Sequence, residues 1–258
     1  GRTFPTAAVN AVAVDASGNV TVTGQFIGTV DFGGGPVVSA GYPTITSANA
    51  FIASYGPAGQ YRWSFTWGTG RDCIGNGVCV LPGSGDVVVT GQSAGRADLG
   101  AGVIATQSSS TDIFVSRWGG DGRCKWVRTF GGTSEDAGLA ITTFPSGGMV
   151  LVGHIQSPVD FGQGPVGGGG VGEGVILRMR ADGRVRWAKA VSRGAGDDSL
   201  QAVACHPSGL IGVGGHVSPG GGVGWDGYVG LYYADGRPMW ERTVGGQGSA
   251  TCDAAMLL

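Results

Sequence analysis

Tyr61-Arg62-Trp63-Ser64-Phe65-Thr66 is the first of four related stretches. It is followed by Cys124-Lys125-Trp126-Val127-Arg128-Thr129, Val185-Arg186-Trp187-Ala188-Lys189-Ala190 and Pro238-Met239-Trp240-Glu241-Arg242-Thr243. The tryptophans stand 63, 61 and 53 residues apart, and self-similarity at a period of this size marks an array of structural repeats. A turn precedes each tryptophan: Gly56-Pro57-Ala58-Gly59, Gly120-Asp121-Gly122-Arg123, Ala181-Asp182-Gly183-Arg184 and Ala234-Asp235-Gly236-Arg237. Asp-Gly permits the positive φ angles of a tight β-hairpin. The strand before each turn reads Phe51-Ile52-Ala53-Ser54-Tyr55, Phe114-Val115-Ser116-Arg117-Trp118, Val175-Ile176-Leu177-Arg178-Met179 and Tyr228-Val229-Gly230-Leu231-Tyr232.

Each unit opens with another hairpin, turning at Ala16-Ser17-Gly18-Asn19, Gly83-Ser84-Gly85-Asp86, Pro145-Ser146-Gly147-Gly148 and Pro207-Ser208-Gly209. Apolar strands ending in glycine follow, as in Val20-Thr21-Val22-Thr23-Gly24-Gln25 and Met149-Val150-Leu151-Val152-Gly153-His154. Two hairpins give four strands per unit, and no stretch has a helical period. The expected fold is therefore all-β, a β-propeller of four-stranded antiparallel blades with repeats at about 8–70, 74–133, 137–196 and 200–246 in one array over 1–258. The ends fall mid-blade, with partial strands at 1–5 and 252–258.

Val12-Ala13-Val14-Asp15-Ala16-Ser17-Gly18-Asn19-Val20-Thr21-Val22-Thr23-Gly24 resembles the first hairpin of the SBBP-type β-propeller repeats of secreted and surface bacterial proteins. In that family it is paired with a second hairpin ending in tryptophan, and the likeness covers nearly the whole chain. The resemblance implies an exported or cell-surface location and a scaffold with no shared catalytic motif. Fold alone does not assign an activity.

The 258 residues are 41% hydrophobic with a mean hydropathy of +0.13, enough to bury a core in one large domain. Only 13% are charged and the net charge is −2, which supplies no basic stripe for nucleic acid. The 54 glycines lack a three-residue period, so they point to turns and bulges rather than collagen. No apolar run approaches the roughly 18 residues of a membrane span. The five cysteines, Cys73, Cys79, Cys124, Cys205 and Cys252, cannot all pair within the chain, and none forms a CxxC motif.

Candidate chemistry is sparse. Gly91-Gln92-Ser93-Ala94-Gly95 matches G-x-S-x-G, but that motif exposes its serine at a strand-to-helix turn, and Ser93 holds an ordinary repeat position. His154 and His216 follow the repeat glycine where the first two units carry Gln25 and Gln92, an interchange that suits hydrogen bonding better than metal ligation. Before the third strand stand Asn49, Asp112, Glu173 and Asp226, which either cap loop backbone or form a polar ring. Asp72, Asp136 and Asp198 precede each new blade, where a carboxylate accepts backbone N–H bonds between neighbours. In Val30-Asp31-Phe32-Gly33, Ala97-Asp98-Leu99-Gly100 and Val159-Asp160-Phe161-Gly162 the apolar residue is expected to plug a gap between blades. Trp225 beside Asp226 pairs an aromatic face with a carboxylate able to bind hydroxyls.

Trp225, Asp226, Asp112, Asn49, Glu173, Gln25, Gln92, His154 and His216 are thus the candidate ligand-binding residues. No catalytic set, metal or cofactor is implied. The expected function is non-catalytic binding of a glycan or protein partner; the alternative is an assembly module that associates through its blade edges.

Overall fold

A computed structural model describes residues 6–42, 44, 47–105, 110–168, 172–194, 196–218 and 224–245. The partial strands expected at 1–5 and 252–258, and Cys252, lie outside the described residues. The chain divides into two compact units, 1–129 and 130–258. Among the described residues every regular element is a strand.

The first unit begins with β1 (Thr6–Val14), β2 (Val20–Ile27), the short β3 (Thr29–Asp31) and β4 (Pro36–Val38), then β5 (Asn49–Tyr55) and β6 (Tyr61–Trp67). Next come β7 (Cys73–Val80), β8 (Val87–Ala94), the short β9 (Arg96–Asp98) and β10 (Val103–Ala105), β11 (Thr111–Trp118) and β12 (Cys124–Phe130). In the second unit β13 (Asp136–Thr143), β14 (Met149–Ile155), the short β15 (Val159–Asp160) and β16 (Pro165–Val166), β17 (Glu173–Met179) and β18 (Val185–Val191) make the third group. The fourth is β19 (Ser199–Cys205), β20 (Ile211–Val217), β21 (Asp226–Tyr232) and β22 (Pro238–Val244). The strands of seven to nine residues form four antiparallel four-stranded sheets, β1-β2-β5-β6, β7-β8-β11-β12, β13-β14-β17-β18 and β19-β20-β21-β22. In each, sequence neighbours pair in order, as a blade requires.

The first strand of every sheet carries a bulge at one position: Asn10, Asn76, Leu139 and Gln201 are extra residues in the pairing with the second strand. The cause is a close backbone approach. A Cβ at Gly24 would lie 1.9 Å from the Ala8 carbonyl oxygen, at Gly91 1.9 Å from that of Ile74, at Gly153 1.9 Å from that of Ala137, and at Gly215 2.1 Å from that of Ser199. The glycine inside each second strand is therefore there for space, and the bulge opposite it re-aims the side chain of the extra residue. In the first two sheets the preceding threonine adds an anchor, with Thr23 Oγ1 donating to the Phe51 carbonyl at 2.7 Å and Thr90 Oγ1 to that of Phe114 at 2.9 Å.

Sheets within a unit pack face to face through apolar strands. In the first unit Ile52, Trp67, Val78, Val87, Val89, Phe114 and Trp118 form one buried cluster drawn from both sheets. In the second, Val150, Val152, Ile176, Leu200, Val203, Val213 and Tyr228 do the same. The repeat tryptophan latches each pair. Trp63 Nε1 donates to the Gly120 carbonyl at 3.0 Å and Trp187 Nε1 to that of Ala234 at 3.0 Å. The carbonyls belong to the β11–β12 and β21–β22 turns of the following sheets.

Two expectations are corrected by the geometry. In the Asp-Gly turns only glycine takes positive φ, as at Gly122 (79°) and Gly236 (86°), while no non-glycine residue does. The turn is thus a right-handed one closed by a glycine bulge, with Asp121 Oδ1 accepting the Arg123 N–H at 3.1 Å. Of the apolar residues expected to plug gaps between blades, Leu99 joins the buried cluster shared by the two sheets of the first unit, whereas Phe32 does not. Phe32 packs on Phe26 and Phe51 of its own sheet, with ring centroids 5.9 and 4.6 Å away. Its neighbour Asp31 closes the small β3–β4 hairpin by accepting the Gly33 and Gly35 N–H groups at 2.7 and 3.0 Å, and Asp98 and Asp160 repeat that turn.

Replacing Gly91 by alanine forces the Ile74 carbonyl away and is expected to lower unfolding stability by about 1–3 kcal/mol. Gly120→Ala, at a position with open space around it, is expected to stay within about 0.5 kcal/mol. Urea denaturation of the two variants checks this.

Candidate functional site

The carboxylates that open each blade are engaged with backbone. Asp72 Oδ1 accepts the Ala48 N–H at 2.9 Å. Asp136 takes the N–H groups of Gly132 and Gln156 at 2.8 and 3.0 Å. Asp198, almost fully buried, takes those of Arg193 and Ser218 at 2.9 and 2.6 Å. Arg193 follows β18 and Ser218 follows β20, so Asp198 ties the two sheets of the second unit together.

Beside this tie lies a cleft of about 330 Å3, lined chiefly by His154, Gln156, Asp197, Gln201, His216 and Trp225. The bulges of β13 and β19 turn Leu139 and Gln201 into it. His154 and His216 come from the second strands of the two sheets, one residue past the glycine that allows the bulge. Gly172 brings the backbone close to Asp197 through an isolated parallel bridge, and a Cβ there would sit 2.7 Å from Asp197 Oδ1. Trp225 packs against the His216 imidazole, centroids 5.2 Å apart at 43°, and keeps 43% of its surface exposed. The Oε1 of Gln201 is buried with no hydrogen-bond partner among the described residues, an acceptor that a ligand hydroxyl or a water can satisfy.

Among the described residues no lysine or arginine lines the cleft, while Asp197 and Asp198 do. Burial holds the His154 imidazole below its usual range. The carboxylates of Glu135 and Asp197 pull the other way, and His216 adds to the lowering. His154 is therefore favoured in its neutral form, with one ring nitrogen to donate and one to accept.

The other candidates sit elsewhere. Gln25 and Gln92 occupy the equivalent half-buried positions of β2 and β8 in the first unit. Asn49 (5% exposed), Asp112 (1%) and Glu173 (5%) are buried at the starts of their third strands. A Cβ on Gly68 would meet Asn49 Oδ1 at 2.0 Å, and one on Gly245 would meet Asp226 Oδ1 at 1.6 Å. Asn49 and Asp226 thus lie over the backbone that leaves the fourth strand, and Asn49 Oδ1 is buried there with no hydrogen-bond partner among the described residues. Asp226 adjoins Trp225 in sequence but is not among the residues that line the cleft. Gln156, Asp197 and Gln201 were not singled out by sequence reasoning; the extra residue of a bulge was the signal for Gln201, and it shows only against the strand pairing.

No family model and no curated protein matches the chain. Its likeness is to solved structures. A protein of unknown function from Bacteroides caccae is 11% identical at a TM-score of 0.48, with 92% of this chain and 61% of that one covered. The Dos1 propeller is 10% identical at 0.43, with 90% and 58% covered. Sqt1 from Chaetomium thermophilum is 11% identical at 0.34, with 96% and 74% covered. The chain spans about three fifths of the length of the first two.

Nucleophiles outside the cleft are muted. Ser93 lies 1% exposed within β8, its Oγ 3.3 Å from Cys73 Sγ. Burial pushes the Cys73 thiol up, the Cys124 thiol up to about 11 and the Cys205 thiol up to about 12, so at neutral pH they stay protonated and weakly nucleophilic.

With the folded-state value of His154 depressed, the unfolded chain binds the proton first. The stability that neutral His154 contributes is present above the ordinary histidine value of 6.5 and is lost as pH falls below it toward the lowered value. Thermal unfolding between pH 7.5 and 5 is expected to show this loss, and His154→Gln, which restores the residue type of the first two units, is expected to reduce it.

Proposed function

We propose that the chain is a non-catalytic binding propeller of an exported or cell-surface protein, and that it takes an uncharged glycan in the cleft of its second unit. The observation that carries this reading is the half-exposed Trp225 ring braced on His216 beside Gln201 Oε1, an acceptor that lacks a partner. An indole face offers apolar area to the C–H side of a sugar ring. Around it Gln156, Asp197, Gln201 and the two histidines supply donors and acceptors for hydroxyls. The pairing of one aromatic platform with a few placed polar groups is what a small-ligand site needs. Anionic sugars and phosphates are disfavoured, because two carboxylates and, among the described residues, no lysine or arginine line the space.

The export assignment is supported by the resemblance of the Val12–Gly24 hairpin to the secreted repeat family. Isothermal titration with neutral mono- and oligosaccharides, guided by a glycan array, tests the reading. Trp225→Ala is expected to weaken binding by roughly tenfold or more, with thermal unfolding little changed because the ring is exposed. Silence against every glycan removes the carbohydrate assignment.

A further inference from the structure

The bulge residue of the third sheet departs from the other three. Asn10, Asn76 and Gln201 carry amides at that position, and Leu139 does not. In the first unit the amide closes the joint between sheets, because Asn10 Nδ2 donates to the carbonyl of Gly75, the residue before the next sheet's bulge. In the second unit β13 packs on β19 as β1 packs on β7, and the residue before the bulge of β19 is Leu200. The Leu139 side chain has no N–H to give to that carbonyl. The apolar cluster between the two sheets takes up its neighbour Ala140 instead, and Leu139 stays half-buried in the wall of the cleft.

One leucine in an otherwise polar wall narrows the ligands that fit. A hydroxyl or ammonium pressed against Leu139 loses water and gains no partner. Gln201, at the equivalent position of the next sheet, presents the buried Oε1 that lacks a partner among the described residues, and it calls for an N–H or O–H donor. His154 and His216 line the same space with ring nitrogens able to donate to a carbonyl oxygen. A methyl, an N–H and a carbonyl oxygen held in one plane are the parts of an acetamido group. A hydroxyl supplies no methyl, the methyl of a 6-deoxy sugar brings no donor, and an amine brings donors without methyl or acceptor. At about 330 Å3 the cleft lies at the small end of ligand pockets and suits a single terminal sugar.

We propose that the cleft is selective for an N-acetylhexosamine, with the acetamido methyl on Leu139, its N–H donating to Gln201 Oε1, and the sugar ring on Trp225. This rests on the glycan reading of the cleft and adds to it the class of sugar and the two residues that select it. The loss of the asparagine clasp at Leu139 is what makes room for the ligand group.

Isothermal titration with the methyl glycosides of N-acetylglucosamine, N-acetylgalactosamine, glucose, galactose, glucosamine and fucose tests this. At least one acetamido sugar is expected to bind roughly tenfold or more tighter than its hydroxyl and amine counterparts. Leu139→Asn, which restores the residue type of the first unit, and Gln201→Leu, which removes the acceptor, are each expected to bring that ratio to within about threefold. The ratios on the unaltered chain need no variant to fold. Equal binding of the hydroxyl sugars, or tighter binding of the amine or 6-deoxy sugar, overturns the inference and leaves the glycan reading standing. An acetamido preference that neither substitution lowers also overturns it, as does silence against the whole panel when another neutral glycan binds. Silence against every glycan removes the reading on which it rests as well.

Discussion

The carbonyl oxygen of the first strand and the Cα of the second-strand glycine compete for the same space in every sheet. Anything larger than hydrogen at Gly24, Gly91, Gly153 or Gly215 would overlap a backbone oxygen. That close approach permits the bulge, and the bulge rotates one side chain out of the strand's normal alternation. In the first unit the rotated residue is Asn10, whose Nδ2 donates to the Gly75 carbonyl of the next sheet at 3.0 Å. In the second unit the same rotation delivers Leu139 and Gln201 to a cleft. One backbone device therefore serves as a structural clasp in one unit and as a wall of the candidate site in the other.

The remaining joints are made of polar groups that spend their hydrogen bonds internally. Asp86 accepts from Arg117 and Lys125 at 2.6–2.8 Å and pins the first hairpin turn of its sheet to the second. The corresponding place in the next repeat is Gly148, and there the buried Arg178 lies flat over the Phe144 ring at 4.0 Å with one bond to the Met149 carbonyl. A carboxylate has been exchanged for a cation–π contact and a carbonyl. The fourth sheet uses another solution. Tyr228 and Tyr232 share Glu241 Oε1 at 2.9 and 2.5 Å, and Arg193 pairs with its other oxygen. Burial pushes both phenols up. For Glu241 burial opposes ionisation, but the donors from Tyr232, Tyr228 and Arg193 outweigh it and hold the carboxyl below its usual range. Sequence drift between repeats is thus absorbed where side chains meet, while the glycine and turn positions that shape backbone are kept.

The division of labour among the acidic residues follows from the same logic. Asp72, Asp136 and Asp198 each saturate an oxygen with a backbone N–H, and the Asp31 group does so in the small hairpins. Saturated carboxylates are poor recruits for a ligand. Asp197 and Gln201 line the cleft beside the tilted His216–Trp225 pair, and that contrast separates a candidate site from the framework around it.

The four-stranded sheets, their strand order and the turns of their two hairpins were legible in the sequence, because tryptophan spacing, alternation and glycine position are local signals that strands of seven to nine residues must obey; the small β3–β4, β9–β10 and β15–β16 hairpins were not. The candidate site was legible only in part. His154, His216 and Trp225 stood out as departures from the repeat, but Asn49, Asp112, Glu173 and Asp226 carried the same polar signal and do not line the cleft, with Asn49 and Asp226 lying over backbone instead. Whether a polar side chain caps a loop or faces a cleft depends on which glycine lies across from it in space, as Gly68 does for Asn49 and Gly245 for Asp226. The sequence by itself thus determined a four-fold run of four-stranded units. Tertiary structure alone decided that Gln201 points into a cleft and that Asp198, at the edge of that cleft, spends both oxygens on backbone N–H groups, since each depends on contacts that only the folded chain brings together.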